Sequence, residues 1–169
     1  NNGYHTFIIT DANGCNTNDS ILITEPLALT ANENIINVSC NGFSDGNATI
    51  SISGGTSPYF ENWGGFDSTA LAFGSYTYTV TDANGCTYTN TISITEPTIL
   101  TATATTTDVL CNGDSTGTAT LTINGGTPSY NEIWNGTLPF NLLANTYTFT
   151  VTDANGCLYS DSVVINEPN

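Results

Sequence analysis

The chain has 169 residues with fifteen Asp and Glu, a single His, and no Lys or Arg, giving a formal net charge of −15. Phosphate binding relies on Lys and Arg to displace counterions, so nucleic acid is not expected as a partner. Anionic membrane surfaces are disfavoured for the same reason, no apolar run is long enough for membrane insertion, and the acidic surface attracts cations instead.

The hexapeptide Thr-Asp-Ala-Asn-Gly-Cys starts at Thr10, Thr81 and Thr152, so its three copies keep one constant spacing. Glu25-Pro26, Glu96-Pro97 and Glu167-Pro168 keep the same register. A fixed period of this kind marks tandem structural units. It divides the chain into 1–26, the last two strands of a truncated repeat, and two complete repeats at 27–97 and 98–169. The strands missing from 1–26 are expected either to precede it or to be replaced by another chain.

Taken in chain order, the first segment carries His5 where the next repeat has Tyr76, which reads as a substituted rim aromatic. Ala48–Ile52 alternates with period two and predicts a strand. Gly54-Gly55-Thr56-Ser57-Pro58 turns the chain into a segment bearing Tyr59 and Trp63. Tyr76–Val80 predicts a strand with Thr on its wet face, and Thr91–Ile94 another. Between them Asp82–Gly85 predicts a hairpin, because the Gly of its Asn-Gly pair accepts positive φ cheaply. The second copy repeats the pattern at Ala119–Ile123, Gly125–Pro128, Tyr130, Trp134, Tyr147–Val151 and Ser162–Ile165. Asn145 stands where the first copy has Gly74, an exchange that is tolerable if the residue sits in a left-handed turn. Short strands, regular turns and one buried Trp per repeat predict an all-β fold of tandem immunoglobulin-like β-sandwich repeats, each spanning one hexapeptide period. Proline holds each Glu-Pro junction extended and no Gly/Ser linker follows, so an elongated rod is expected.

The five cysteines form two classes in register: Cys15, Cys86 and Cys157 follow the hairpin turn, whereas Cys40 and Cys111 lie early in their repeats. Pairing within repeats gives Cys40–Cys86 and Cys111–Cys157, with Cys15 unpaired. Pairing between repeats gives Cys15–Cys40 and Cys86–Cys111. Loop entropy separates the two by only about 0.5 kcal/mol. Modularity favours the first, since a repeat that closes its own bridge can fold alone. Two cysteines per repeat make poor zinc spacing, and disulfides imply an oxidising, extracytoplasmic setting.

Three acids per repeat recur in register: Glu61 and Glu132, Asp82 and Asp153 (with Asp11), and Glu96 and Glu167 (with Glu25). Asp82, Glu96, Asp153, Glu167 and Glu25 are candidate ligands for Ca2+ at repeat junctions, oxygen donors suiting that hard cation. A bland reading stands beside it, with Asp82 capping its own turn. No repeated His, nucleophile–base pair or Gly-rich phosphate loop is present, so no enzyme is expected and no cofactor other than Ca2+.

Ser39-Cys40-Asn41-Gly42, Asp45-Gly46, Gly54-Gly55-Thr56, Pro58-Tyr59, Trp63, the Gly74–Val80 strand, Thr81–Cys86 and Glu96-Pro97 together resemble the SprB repeat. The second copy matches at Cys111–Gly113, Gly125–Thr127, Tyr130, Trp134, Tyr147 and Thr152–Cys157, with Thr116-Gly117 in place of Asp-Gly. The resemblance covers essentially the whole chain. It implies an extracellular segment of a giant cell-surface adhesin of gliding Bacteroidota, exported by the type IX system. Neighbouring repeats of the same long chain are the implied partners, with the gliding or secretion machinery and surface polysaccharide beyond them. Asp-Ser followed by Ile, Thr, Thr or Val resembles the O-glycosylation signal of exported Bacteroidota proteins, which implies sugars on Ser20, Ser68, Ser115 and Ser162.

Overall fold

A computed structural model describes residues 2–168. Among them there is no helix, and the strands are β1 (Gly3–Thr10), β2 (Asn16–Ile23), β3 (Thr30–Ile36), β4 (Asn47–Ser53), β5 (Phe60–Asn62), β6 (Gly74–Thr81), β7 (Thr87–Ile94), β8 (Thr101–Thr107), β9 (Gly117–Asn124), β10 (Asn131–Trp134), β11 (Phe140–Leu142), β12 (Asn145–Thr152) and β13 (Leu158–Ile165). The expected all-β class is what the structure shows. The sheets are small: β1-β2, β3-β4, β5-β6-β7, β11-β9-β8 and β10-β12-β13.

The strands group into two compact units. One takes the N-terminal segment through Glu33 together with Ile50–Gly64 and Thr77–Asn90; the other takes Asn34–Thr49, Gly65–Tyr76 and the segment from Thr91 onward. The division runs through repeat 27–97, because β3, β4, β6 and β7 each pass from one unit to the other.

Repeat 98–169 lies wholly in the second unit and shows how the pattern folds. β12 and β13 form an antiparallel hairpin from Asn145↔Ile165 at its open end to Thr152↔Leu158 at its tip. β10 adds to its edge, while β8 and β9 pair from Thr101↔Asn124 to Thr107↔Thr118. The inward residues of both sheets, among them Ala102, Ala119, Trp134, Phe149, Val151, Val163 and Ile165, form one buried core. Thr148 is exposed on the opposite face of β12, as period-two alternation requires. Trp134 packs on Phe149 with ring centroids 5.2 Å apart, and Trp63 packs on Tyr78 at 4.8 Å in the other unit.

Two tyrosines pin the start of the central strands. Tyr147 Oη donates to the Leu143 carbonyl at 3.0 Å, and Tyr76 Oη to that of Ala72 at 3.1 Å. A tyrosine near the start of a strand bonding backbone a few residues upstream is the tyrosine corner of immunoglobulin-like sandwiches. Asn145 does not sit in a left-handed turn. Only Ser129 and Asn141 combine positive φ with a non-glycine side chain among the described residues. Asn145 instead opens β12, its Oδ1 accepting from Thr146 N at 2.8 Å.

Candidate functional site: the hairpin tip and the inter-repeat bridge

Each hexapeptide folds around its aspartate. Asp153 Oδ1 accepts from the backbone N–H of Asn155 and of Cys157, both at 2.9 Å, and Oδ2 accepts from Thr127 N at 2.7 Å. Asp82 repeats this with Asn84 at 2.9 Å, Cys86 at 2.8 Å and Thr56 at 2.9 Å. Burial alone would raise both carboxyl pKa values, but these N–H donors outweigh it and hold both below the ordinary carboxylate range. Asp11 makes the first two of these bonds, to Asn13 and Cys15. The turn-capping reading of Asp82 therefore describes what the side chain does.

The Gly-Gly pair lets the neighbouring loop reach this carboxylate. A Cβ on Gly125 would stand 2.0 Å from the Ile99 carbonyl oxygen, and one on Gly126 2.7 Å from Asp153 Oδ2. Both glycines have left-handed φ, so a side chain is refused on two grounds. Tyr130 Oη then closes the loop by donating to the Gly125 carbonyl at 2.7 Å, and Tyr59 does the same to Gly54.

The Glu-Pro markers act at the opposite end. Glu167 Oε2 accepts from Gly113 N at 2.9 Å, and Asn112 Nδ2 donates to the Pro168 carbonyl at 3.3 Å. Glu96 and Pro97 hold Gly42 and Asn41 in the same way at 2.7 and 3.1 Å. Glu96-Pro97 and Glu167-Pro168 thus each clasp the Cys-Asn-Gly loop of their own repeat. From sequence these glutamates read as exposed residues or as ligands. The Asn-Gly after each early cysteine is the available signal of a turn needing such a clasp.

This arrangement sets the cysteine chemistry and corrects the expected pairing. Cys40 is bonded to Cys157, with Cα atoms 5.7 Å apart, while Cys15, Cys86 and Cys111 are exposed free thiols. Neither Cys40–Cys86 and Cys111–Cys157 nor Cys15–Cys40 and Cys86–Cys111 is formed. The reason is visible in repeat 98–169. Cys157 sits at the tip of the β12–β13 hairpin, whereas the Cys111 loop is clasped by Glu167 beyond its open end. Seven residue steps of about 3.3 Å separate the two, roughly 23 Å, against the ~6 Å a disulfide spans. The early cysteine of one repeat meets instead the hairpin tip of the following repeat. Asn155 Nδ2 strengthens the joint by donating to the Ser39 carbonyl at 2.9 Å. Asp45 fixes Ser39 in turn, accepting from its N at 3.0 Å and from its hydroxyl. Beside the bridge a recess of about 400 Å³ is lined by Phe43, Ile99, Leu100, Leu158 and Tyr159.

The remaining candidate residues are dispersed. Asp153 and Glu167 lie at opposite ends of one hairpin, and Glu25 accepts a long bond from Asn2 at 3.5 Å. Among the described residues no three His, Cys, Asp or Glu side chains gather closely enough to hold a metal. Ser20 and Ser162 occupy matching exposed positions on β2 and β13, Ser115 is exposed in a loop, and Ser68 is half-buried, with its carbonyl accepting from Ala48 N.

Antiparallel sandwich strands, backbone-capping acids and a disulfide between successive repeats define a structural repeat protein. The SprB repeat family model matches residues 32–60 and 103–136, two stretches that begin at equivalent positions of successive repeats. These two stretches are thus similar to the SprB repeat, a structural repeat of Bacteroidota cell-surface adhesin-like proteins, a likeness that implies an extracellular setting. No helix among the described residues is long and apolar enough to cross a membrane. No curated protein matches the chain.

Proposed function

We propose that this chain is a structural stalk segment of a large secreted adhesin filament, serving surface attachment and gliding motility. The observation that carries this reading is the Cys40–Cys157 bridge. It spans 117 residues of sequence, so tension applied at the chain ends passes through one covalent bond and bypasses most of both repeats. An enzyme or a ligand-binding module has no need of such a load path, whereas a stalk under drag does. Interlocked capping acids and glycine-dependent turns serve the same end, since they commit the polar side chains to holding backbone.

The alternative is an array of modules that itself binds carbohydrate or Ca2+ at the substratum. Isolated repeats placed on a glycan array, with and without Ca2+, separate the two. A stalk shows no saturable binding to any glycan, and Ca2+ leaves its melting temperature unchanged. Specific glycan binding lost on substituting residues of the recess would move the adhesive function into the repeats themselves.

A further inference from the structure

We propose that the recess around Cys86 is a docking seat for the Cys-Asn-Gly loop of another SprB-type repeat, which is sealed to it by a disulfide. The Cys86 recess is built like the occupied joint one repeat further on. There the hairpin tip presents Cys157 and Leu158 beside Leu100, and it receives Cys40. Here the tip presents Cys86 and Thr87 beside Leu29 around a recess of about 410 Å³, with Leu27, Gly55 and Asp82 completing its wall. Leu27 is 83% exposed. Asn84 is the counterpart of Asn155, the residue that grips the Ser39 carbonyl, and its amide already donates to Thr56 Oγ1 as Asn155 donates to Thr127 Oγ1.

A second observation in the same compact unit identifies the same occupant. Hairpin β1–β2 exposes Phe7, Ile9, Ile21 and Ile23 at 45–58%. Their counterparts Phe149, Val151, Val163 and Ile165 are no more than 9% exposed. What covers those counterparts is known: Ala102, Val109, Ala119, Trp134 and Leu142, all supplied by residues 98–144 of their own repeat. The early half of a SprB-type repeat therefore carries both the apolar strands that fit this hairpin and the cysteine loop that fits the Cys86 seat.

The test uses the whole chain, with its Cys40–Cys157 bond intact, and a synthetic polypeptide of residues 98–144 as probe, in a glutathione redox buffer. Cys86 thiolate attacks oxidised glutathione and releases one glutathione thiol. The probe's Cys111 thiolate then displaces the second, so two cysteines are oxidised as one glutathione disulfide is reduced. The expected result is a one-to-one adduct whose peptide map joins probe Cys111 to chain Cys86, in at least tenfold excess over adducts at Cys15 or Cys111 of the chain. Asn84→Ala should slow its formation severalfold without altering the thiol. Chain Cys86→Ser should still bury the probe's Trp134, read as a blue-shifted emission. Comparable yields at all three chain cysteines, or equal yields with a scrambled probe, would overturn the proposal.

Discussion

At the scale of single residues, the two complete repeats differ in one coordinated exchange. In repeat 27–97 Tyr78 donates to Glu33, which also accepts from Asn90 Nδ2 at 2.6 Å. The donors, Tyr78 first, hold the Glu33 carboxyl below its ordinary value, while burial and the nearby carboxylate raise the phenol of Tyr78. Repeat 98–169 has Phe149, Ala104 and Asp161 at the three matching positions. The hydroxyl and its acceptor are thus present together or absent together, as expected when a half-satisfied polar pair costs more than an apolar one. Tyr78→Phe should destabilise the protein by about 1 kcal/mol and raise the Glu33 pKa, measured by carboxyl NMR titration. The triple change Tyr78→Phe, Glu33→Ala, Asn90→Asp should recover much of that loss. Period-two alternation showed that Tyr78 points inward, but its partner lies 45 residues away, beyond any local pattern.

At the scale of elements, the hairpin tip is the most constrained feature. Asp82 and Asp153 have folded pKa values below the unfolded value of about 3.9. The stability each contributes is therefore complete above the unfolded pKa and is lost as pH falls through the folded one. Asp153→Asn should flatten the acid limb of a melting-temperature profile below about pH 4, with little change in its slope between pH 6 and 8. Glycine substitutions should rank by space. Gly113→Ala meets nothing within 4 Å and should cost only the left-handed strain, about 1–2 kcal/mol. Gly125→Ala strikes backbone and should cost clearly more, measured by denaturant unfolding. The strands, hairpin turns and buried tryptophans were legible because alternation and Asn-Gly are local signals. The disulfide pairing was not. Modularity suggested that a repeat closes its own bridge, yet a two-stranded hairpin keeps its tip a strand's length from its open end. The loops that the cysteines occupy, set by Asp153 and Glu167, decide the pairing.

At the scale of the whole molecule, charge and bridging act together. With no Lys or Arg, fifteen acids repel one another without internal counter-charge, so the fold depends on carboxylates capped by backbone N–H groups and on a covalent tie. Closing a loop of 117 residues is worth about 5 kcal/mol in the chain-entropy description. Reduction should lower the melting temperature, and added salt should raise that of the reduced chain by screening. The most direct test of a stalk that carries tension is to pull the chain from its two ends, oxidised and reduced, in a force-extension measurement. Locking 117 residues at ~3.6 Å each removes about 40 nm of contour length. A stalk predicts that this length is missing from the oxidised chain and is released only after reduction. Equal extension in both states would show that tension does not pass through Cys40–Cys157, and would contradict the stalk.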